Sequence, residues 1–368
     1  MNANIHSKLG KPGLILLATA ILLSMTACST GNTEARQVVE KSGKKITVMD
    51  NTTESVYTKL KLEGIAKIEG VRGMDWVSEG TLAVDKENRK LSPVIIEGEK
   101  RYPHNLYQYD LASSGETPLL EGENSYGFAK LSPDRKHMLY QQLYESTGIG
   151  YIMNLETGVS VKMYDAEFMA GEGVWEDTGH VIFPNMEGDI IRADVNGKSE
   201  VAVKTGQRSV SSVAQSGNMI YYVAMGELIA YDIETKQSEV LKKNVWVVLP
   251  SPDGSKLAVV KHTKPGENVL VLCDTKGKEL STLASGMQLF GTSWSPDGSK
   301  LAYAVSEDGD KYRFFITEAE TGEQTPVLGD NGISDQLRWS PSGKKLLIPT
   351  GVLKDTGYQS TAYVIKLS

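Results

Sequence analysis

The sequence predicts an all-β, seven-bladed β-propeller. Three observations carry that prediction: a hairpin turn that recurs, an even spacing between its copies, and a second polar turn at a fixed phase behind each copy. The first turn reads Ser132-Pro133-Asp134-Arg135, Ser251-Pro252-Asp253-Gly254, Ser295-Pro296-Asp297-Gly298 and Ser340-Pro341-Ser342-Gly343. Proline presets φ at the first central position, Asp tolerates the second, and Gly accepts the left-handed geometry that closes a tight hairpin. A turn repeated along a chain describes an array, and an array has to be recognised before any site is placed on it.

The spacing follows from copies that have lost the Pro. Trp294 and Trp339 sit just before their Ser-Pro pair, with a Gly four residues on, and Trp76 to Gly80 and Trp175 to Gly179 repeat that frame. Leu131, Val213 and Pro250 hold the same slot in the other copies. The slot positions 76, 131, 175, 213, 250, 294 and 339 are separated by 55, 44, 38, 37, 44 and 45 residues. A four-stranded propeller blade repeats every 40–45 residues or so. Six blades is the alternative count.

The second turn ends a later strand, as in Asn154-Leu155-Glu156-Thr157-Gly158 and Glu318-Ala319-Glu320-Thr321-Gly322, and a short fourth strand such as Ser238-Glu239-Val240-Leu241 follows. The last copy lacks its fourth strand, because it stops at Leu367-Ser368. Upstream of the first copy, Val56 to Glu63 alternates apolar and charged residues with period two, which suits an outer edge strand. This segment is expected to complete the seventh blade and close the ring.

The strings Ser-Pro-Asp-Gly-Ser-Lys-Leu-Ala at 251–258 and 295–302 resemble the WD40-like repeats of TolB-type β-propellers. The resemblance covers roughly residues 55–368 and implies the fold more than the function, because the matching residues form a structural turn. The founding member carries an additional N-terminal domain for which residues 1–54 leave no room, so its partners are not carried over. Lipid-anchored bacterial propellers are the nearer comparison.

Lys8 and Lys11 precede an apolar stretch from Leu14 to Leu23 and then Met25-Thr26-Ala27-Cys28. A short basic region, a short apolar core and small residues before a cleavage point read as a secretory signal. The Cys after Thr-Ala resembles a bacterial lipobox, with Met25 where Leu is commoner. That resemblance implies residues 1–27 as signal peptide and Cys28 as the lipidated residue, followed by a polar, flexible tether to residue 54 and the propeller over 55–368. An ordinary signal peptide containing a Cys is the other reading. Cleavage removes Lys8 and Lys11 and moves the formal charge from -7 to -9. An acidic exported chain is a poor nucleic-acid binder. Cys273, in an apolar strand, reads as core.

Function on such a disc is expected on the face opposite the Pro-Asp-Gly turns, or at the mouth of the axial channel. Two loops on that face are long, Lys86 to His104 in the first blade and Gly351 to Gln359 in the seventh. Lys100, Arg101, Tyr102, Lys354, Asp355 and Tyr358 on them would make a raised, mixed-charge lip for an envelope protein or glycan. Tolerated insertion is the alternative. Four residues before each slot, the inner strand enters near the channel mouth at Arg72, Gly127, Gly171, Ser209, Trp246, Phe290 and Asp335, with Asp75, Tyr126, Glu172 and Arg208 beside them. This set could hold a peptide or sugar, or its aromatics could simply pack between blades.

The case for catalysis is thin. Gly291-Thr292-Ser293-Trp294-Ser295 fails the Gly-x-Ser-x-Gly pattern at its last position. The mature chain holds only His104, His137, His180 and His262, two of them in equivalent repeat positions. One group of seven-bladed TolB-like propellers degrades acidic sugars with a metal held by several histidines, a set this chain does not show. Glu307-Asp308-Gly309-Asp310 fits a charged turn better than a calcium loop. The reading is therefore a non-catalytic, membrane-anchored, extracytoplasmic propeller that binds a protein or ligand at the bacterial envelope, with no cofactor or metal. The alternative is a sugar-active lyase or hydrolase using the channel mouth.

Overall fold

The recurrent turn closes itself through its serine. Ser251 Oγ donates to Asp253 Oδ1 (2.5 Å) and accepts the Lys256 N–H (3.0 Å), and the Ser255 N–H donates to the same carboxylate oxygen. The Ser251 and Ser255 bonds hold the Asp253 carboxyl down to about 2. Ser132 and Ser295 repeat the arrangement. Gly254, Gly298 and Gly343 finish their turns at φ +70°, +69° and +71°, and Arg135 takes the same place at +60° without the glycine.

The computed structural model describes residues 36–41, 44–49, 60–96, 98–306, 311–354 and 357–368. The signal-like segment, Cys28, Asp355 and the charged turn at 307–310 lie outside them. The chain divides into two units, 1–59 and 60–368. In the first, within the stretch expected to be a tether, Arg36–Lys41 pairs antiparallel with Lys44–Met49.

The second unit is built from seven antiparallel sheets, and in blades 1 to 6 the strands run from inner to outer in chain order. Blades 1 to 6 span 72–120, 126–162, 174–203, 210–243, 245–286 and 288–331. Blade 2 gains a fifth short strand, Phe168–Met169. Blade 7 takes three strands from 338–367 and its outermost strand from Leu62–Glu69, which pairs with Gly357–Leu367 from Leu62↔Leu367 to Glu69↔Thr361. Closure by an N-terminal strand is as expected, and pairing runs past the 56–63 segment to Glu69, while residues 56–59 lie outside the described ones. An outer strand is wet on both faces: Ile65 is exposed and Ile68 alone is buried. Period-two alternation therefore marked a strand there without fixing where pairing ends.

There is no single core. Seven apolar clusters each fill the gap between two neighbouring blades, because alternate residues of a strand face opposite neighbours. In blade 7, Leu346 and Ile348 pack with Phe314 of blade 6, while Leu347 packs with Leu82 and Trp76 of blade 1. Cys273 lies in the cluster between blades 4 and 5, where burial pushes its thiol up and leaves it inert.

The slot tryptophans tie these layers together. Each donates its indole N–H to an inner-strand carbonyl of the preceding blade: Trp175 to Lys130 O (2.8 Å), Trp294 to Leu249 O (3.0 Å) and Trp339 to Ser293 O (3.2 Å). Trp76 donates to Arg338 O (2.9 Å) across the seam between blades 1 and 7.

The two long loops differ from each other. In blade 1, 86–104 carries a short hairpin, Val94–Ile96 against Glu99–Arg101. In blade 7 the expected loop at 351–359 is instead the end of a ribbon, with Gly351↔Ser360 and Lys354↔Gly357 in register. The strand Lys345–Lys354 runs on through Val352 where a loop was read.

Candidate functional site

Five inner strands slip register within a few residues of their slot, and that of blade 1 slips again between Trp76 and Ser78. The slips fall between Gly73 and Asp75, Gly127 and Lys130, Ser211 and Ala214, Val245 and Val247, and Phe290 and Ser293. A bulge bends its strand and re-aims the side chains beside it. Phe128 and Ser212 sit at φ +54° and +50° within these bulges. In blade 5 the extra residue is Trp246: Val245 pairs with Lys261 and Val247 with Val260, so Trp246 is left out of the ladder and is 57% exposed.

Trp246 forms one wall of an open cleft of about 760 Å³ between blades 5, 6 and 7. His262 meets it edge-on, ring centroids 5.0 Å apart at 90°. The opposite wall holds Phe290, 51% exposed, with Tyr312 edge-on at 5.8 Å and 71°. Between these pairs lie Gln288, whose Oε1 accepts the Tyr312 hydroxyl, and Gln336, whose Nε2 donates to Thr292 O (3.0 Å). Asp335 Oδ1 accepts the Gln336 N–H (2.7 Å). Three buried polar atoms of lining residues, Asn268 Oδ1, Thr292 Oγ1 and Ser334 Oγ, have no hydrogen-bond partner. Such atoms are rare enough in folded proteins to mark a place that is not purely structural.

On the other side of the ring, Asp85 is fully buried and takes Arg72 Nε (2.7 Å) and Nη2 together with His104 Nδ1 (2.9 Å). Burial alone would push its carboxyl up, but the Arg72 charge and the His104 bond outweigh it and hold it below 3.8. The Arg72 guanidinium lies 4.7 Å over the Phe128 ring, and Gly127 makes room, since a Cβ there would stand 2.5 Å from Nη2. Nearer the axis, Lys130 donates to Gly171 O (2.5 Å) and Gly173 O (2.7 Å). Burial, helped by Arg338, lowers its ammonium to about 8, while Asp335, Glu172 and Asp75 pull the other way. Burial pushes the Glu172 carboxyl up.

The residues expected at the mouth thus divide. Trp246, Phe290 and Asp335 come together in the cleft. Arg72 is committed to Asp85, and Asp75 is buried as a pin between blades, accepting the Trp76 and Leu131 N–H groups (2.7 and 2.8 Å). Tyr126 packs edge-on against Tyr140 at 5.9 Å. Arg208 is exposed apart from the cleft lining. On the blade 1 insertion, Lys100 and Arg101 are exposed, and Tyr102 lies beside Arg89. Lys354 and Tyr358 belong to the blade 7 ribbon, paired with Gly357 and Leu353. His137 packs near Trp175 and His180 bonds Asp177, at the turn end of their strands. Among the described residues no three His, Cys, Asp or Glu side chains form a metal-ligating group.

Sequence reasoning weighed His262 only as a metal ligand and missed Asn268, Gln288, Tyr312 and Gln336. They stand on strands and links of three blades, and nothing in their local spacing joins them. The one available signal was Trp246, the only tryptophan outside the slot pattern.

No family model matches the chain. Over 103 residues it is 31% identical to the Tol-Pal system protein TolB of Alcanivorax borkumensis, a stretch that covers 27% of this chain and 24% of that relative's length. An oligogalacturonate lyase in complex with manganese superposes with a TM-score of 0.60 at 14% identity, over 91% of this chain and 96% of the other. An oligogalacturonate lyase from Vibrio parahaemolyticus gives 0.58 at 12% identity, over 84% and 98%. At these identities the structures speak for the fold and not for the activity. The slot repeat, the seven closed blades and the partial sequence match agree: the chain is a seven-bladed, TolB-like β-propeller.

Proposed function

We propose that the protein is a non-catalytic binding module of the bacterial cell envelope, held on the extracytoplasmic face by lipid on Cys28, and that it captures its ligand in the cleft between blades 5, 6 and 7. One observation carries the cleft. Four of the five tryptophans do the same structural job, donating an indole N–H to the blade before, while the fifth, Trp246, stands exposed at the cleft. A large ring left in water on a bulge contributes little to folding and much to a ligand that stacks on it. The polar groups around it include the Asn268, Gln288 and Gln336 amides, the Tyr312 hydroxyl and the Asp335 carboxylate, a set that suits recognition. The signal-like segment and the partial match to TolB support the envelope location.

The test is thermal melting of wild type and Trp246→Ala against panels of envelope glycans, peptides and small organic solutes. A ligand at a hundred times its Kd adds about 2.7 kcal/mol, which for a chain of this size raises Tm by roughly 4 °C. The rise is expected in wild type and not in a Trp246→Ala protein that melts normally by itself. An equal rise in both proteins would move the site elsewhere. Formation of an unsaturated product from an oligogalacturonate would overturn the non-catalytic reading in favour of the fold's lyase members.

A further inference from the structure

We infer that the cleft selects an organic cation, an ammonium group bearing methyl or alkyl substituents, by caging it between the Trp246 and Phe290 walls beside the Asp335 carboxylate. This deepens the proposed function and rests on the cleft being the ligand site.

Charge comes first. Among the described residues lining the cleft, Asp335 is the one carboxylate, and no Lys or Arg faces it. Asp335 forms no ion pair among the described residues; its Oδ1 accepts the Gln336 N–H. Lys130 feels its field but keeps its ammonium on the Gly171 and Gly173 carbonyls. An acidic ligand, sugar acids included, would therefore meet an uncompensated carboxylate, and a cation would supply the missing partner.

The walls then choose among cations. Two aromatic pairs from adjacent blades, Trp246 with His262 and Phe290 with Tyr312, are both edge-to-face. In such a pair one ring is braced by the edge of the other, and the exposed member keeps a face free for a ligand. Both exposed members are carbon-rich π systems, and a ring face attracts a cation placed within about 6 Å. A primary ammonium also needs several acceptors for its N–H groups, and here Gln288 Oε1 is taken by Tyr312 and Asp335 Oδ1 by Gln336, while the unpartnered Asn268 Oδ1, Thr292 Oγ1 and Ser334 Oγ are buried away from the open cleft. The apolar part of the remaining lining is Val247, Val260, Leu289 and Ile333. An alkylated ammonium offers methyl groups to that surface and charge to the rings and carboxylate.

The probes are choline and its neutral isostere 3,3-dimethyl-1-butanol, titrated into the folded protein and read by tryptophan fluorescence and Tm. Choline is expected to bind at least about tenfold more tightly than the isostere. Asp335→Asn, which keeps an oxygen for the Gln336 N–H, should remove most of that ratio while the isostere still binds. Trp246→Ala should lose both. Co-sedimentation with phosphatidylcholine vesicles separates a lipid headgroup from a free solute as the source of the cation. Equal binding of choline and isostere by wild type would overturn the inference and leave the cleft as an apolar binding site. Binding of neither overturns it too. In that case, Trp246-dependent melting shifts with other solutes would keep the binding reading alive, and their absence would end it.

Discussion

Asp85 shows how much one buried carboxylate organises on the inner wall of the ring. It holds Arg72 and His104 at once, and Arg72 in turn covers Phe128. Asp85→Asn leaves the guanidinium without its counter-charge, at an expected cost of about 3–5 kcal/mol. The sign of the pH dependence follows from the carboxyl lying below 3.8 in the fold. Its stabilisation is complete above the unfolded value and fades as pH falls through the lower folded one. Denaturant midpoints of wild type and Asp85→Asn should therefore differ most at neutral pH and converge below about pH 4. A constant difference across that range would mean that the pair does not matter. The sequence placed Arg72, Trp246, Phe290 and Asp335 at one phase of the repeat, and the fold brings Trp246, Phe290 and Asp335 to one cleft. What it left open was direction. Trp246 is outside its ladder, whereas Arg72 turns onto a carboxylate of the next strand, and no count of residues distinguishes the two.

At the scale of the element, the inner strand and its tryptophan form the unit of assembly. Trp294→Phe would leave Leu249 O without its donor, with an expected loss of about 1–3 kcal/mol. Trp246→Phe, at an exposed position, should stay within about 0.5 kcal/mol. Urea midpoints of the two variants make the comparison, and equal losses would contradict the division of labour between slot and cleft. The turn was legible in its Pro, Asp and Gly, but its hydrogen bonding also depends on the first serine. Ser132, Ser251 and Ser295 each join the first residue of the turn to the N–H five positions on. The blade 1 hairpin is a different kind of element. Val94 and Ile95 are exposed, so replacing 93–101 by a short Gly-Ser turn should move Tm by no more than about 2 °C. Pull-downs with this variant and with Lys100→Glu/Arg101→Glu ask whether a protein partner uses that face. Capture unchanged in both would remove it from consideration.

For the whole molecule, seven inter-blade clusters share the burial that a single core would concentrate. Every blade therefore needs two neighbours, and the ring needs its seam. Removing 62–69 bares the long edge of Gly357–Leu367. A Tm drop of more than about 10 °C, with a broader transition, is expected in calorimetry; an unchanged sharp transition would show that the seam is dispensable. The number of blades was legible because the slots repeat at nearly constant intervals. The cleft was not, because it is assembled from three blades and depends on bulges, which are properties of pairing rather than of either strand alone.

The seam also orders events in time. The Trp76–Arg338 bond joins positions 262 residues apart, and Leu62–Glu69 has no partner until the final strand exists. Contacts this distant in sequence form late. A ribosome that has reached the middle of the message holds an open arc of blades with both ends unlocked, and release of the finished chain is what permits the circle to shut. A nascent chain handed to an export channel would thus arrive before its fold could jam the passage.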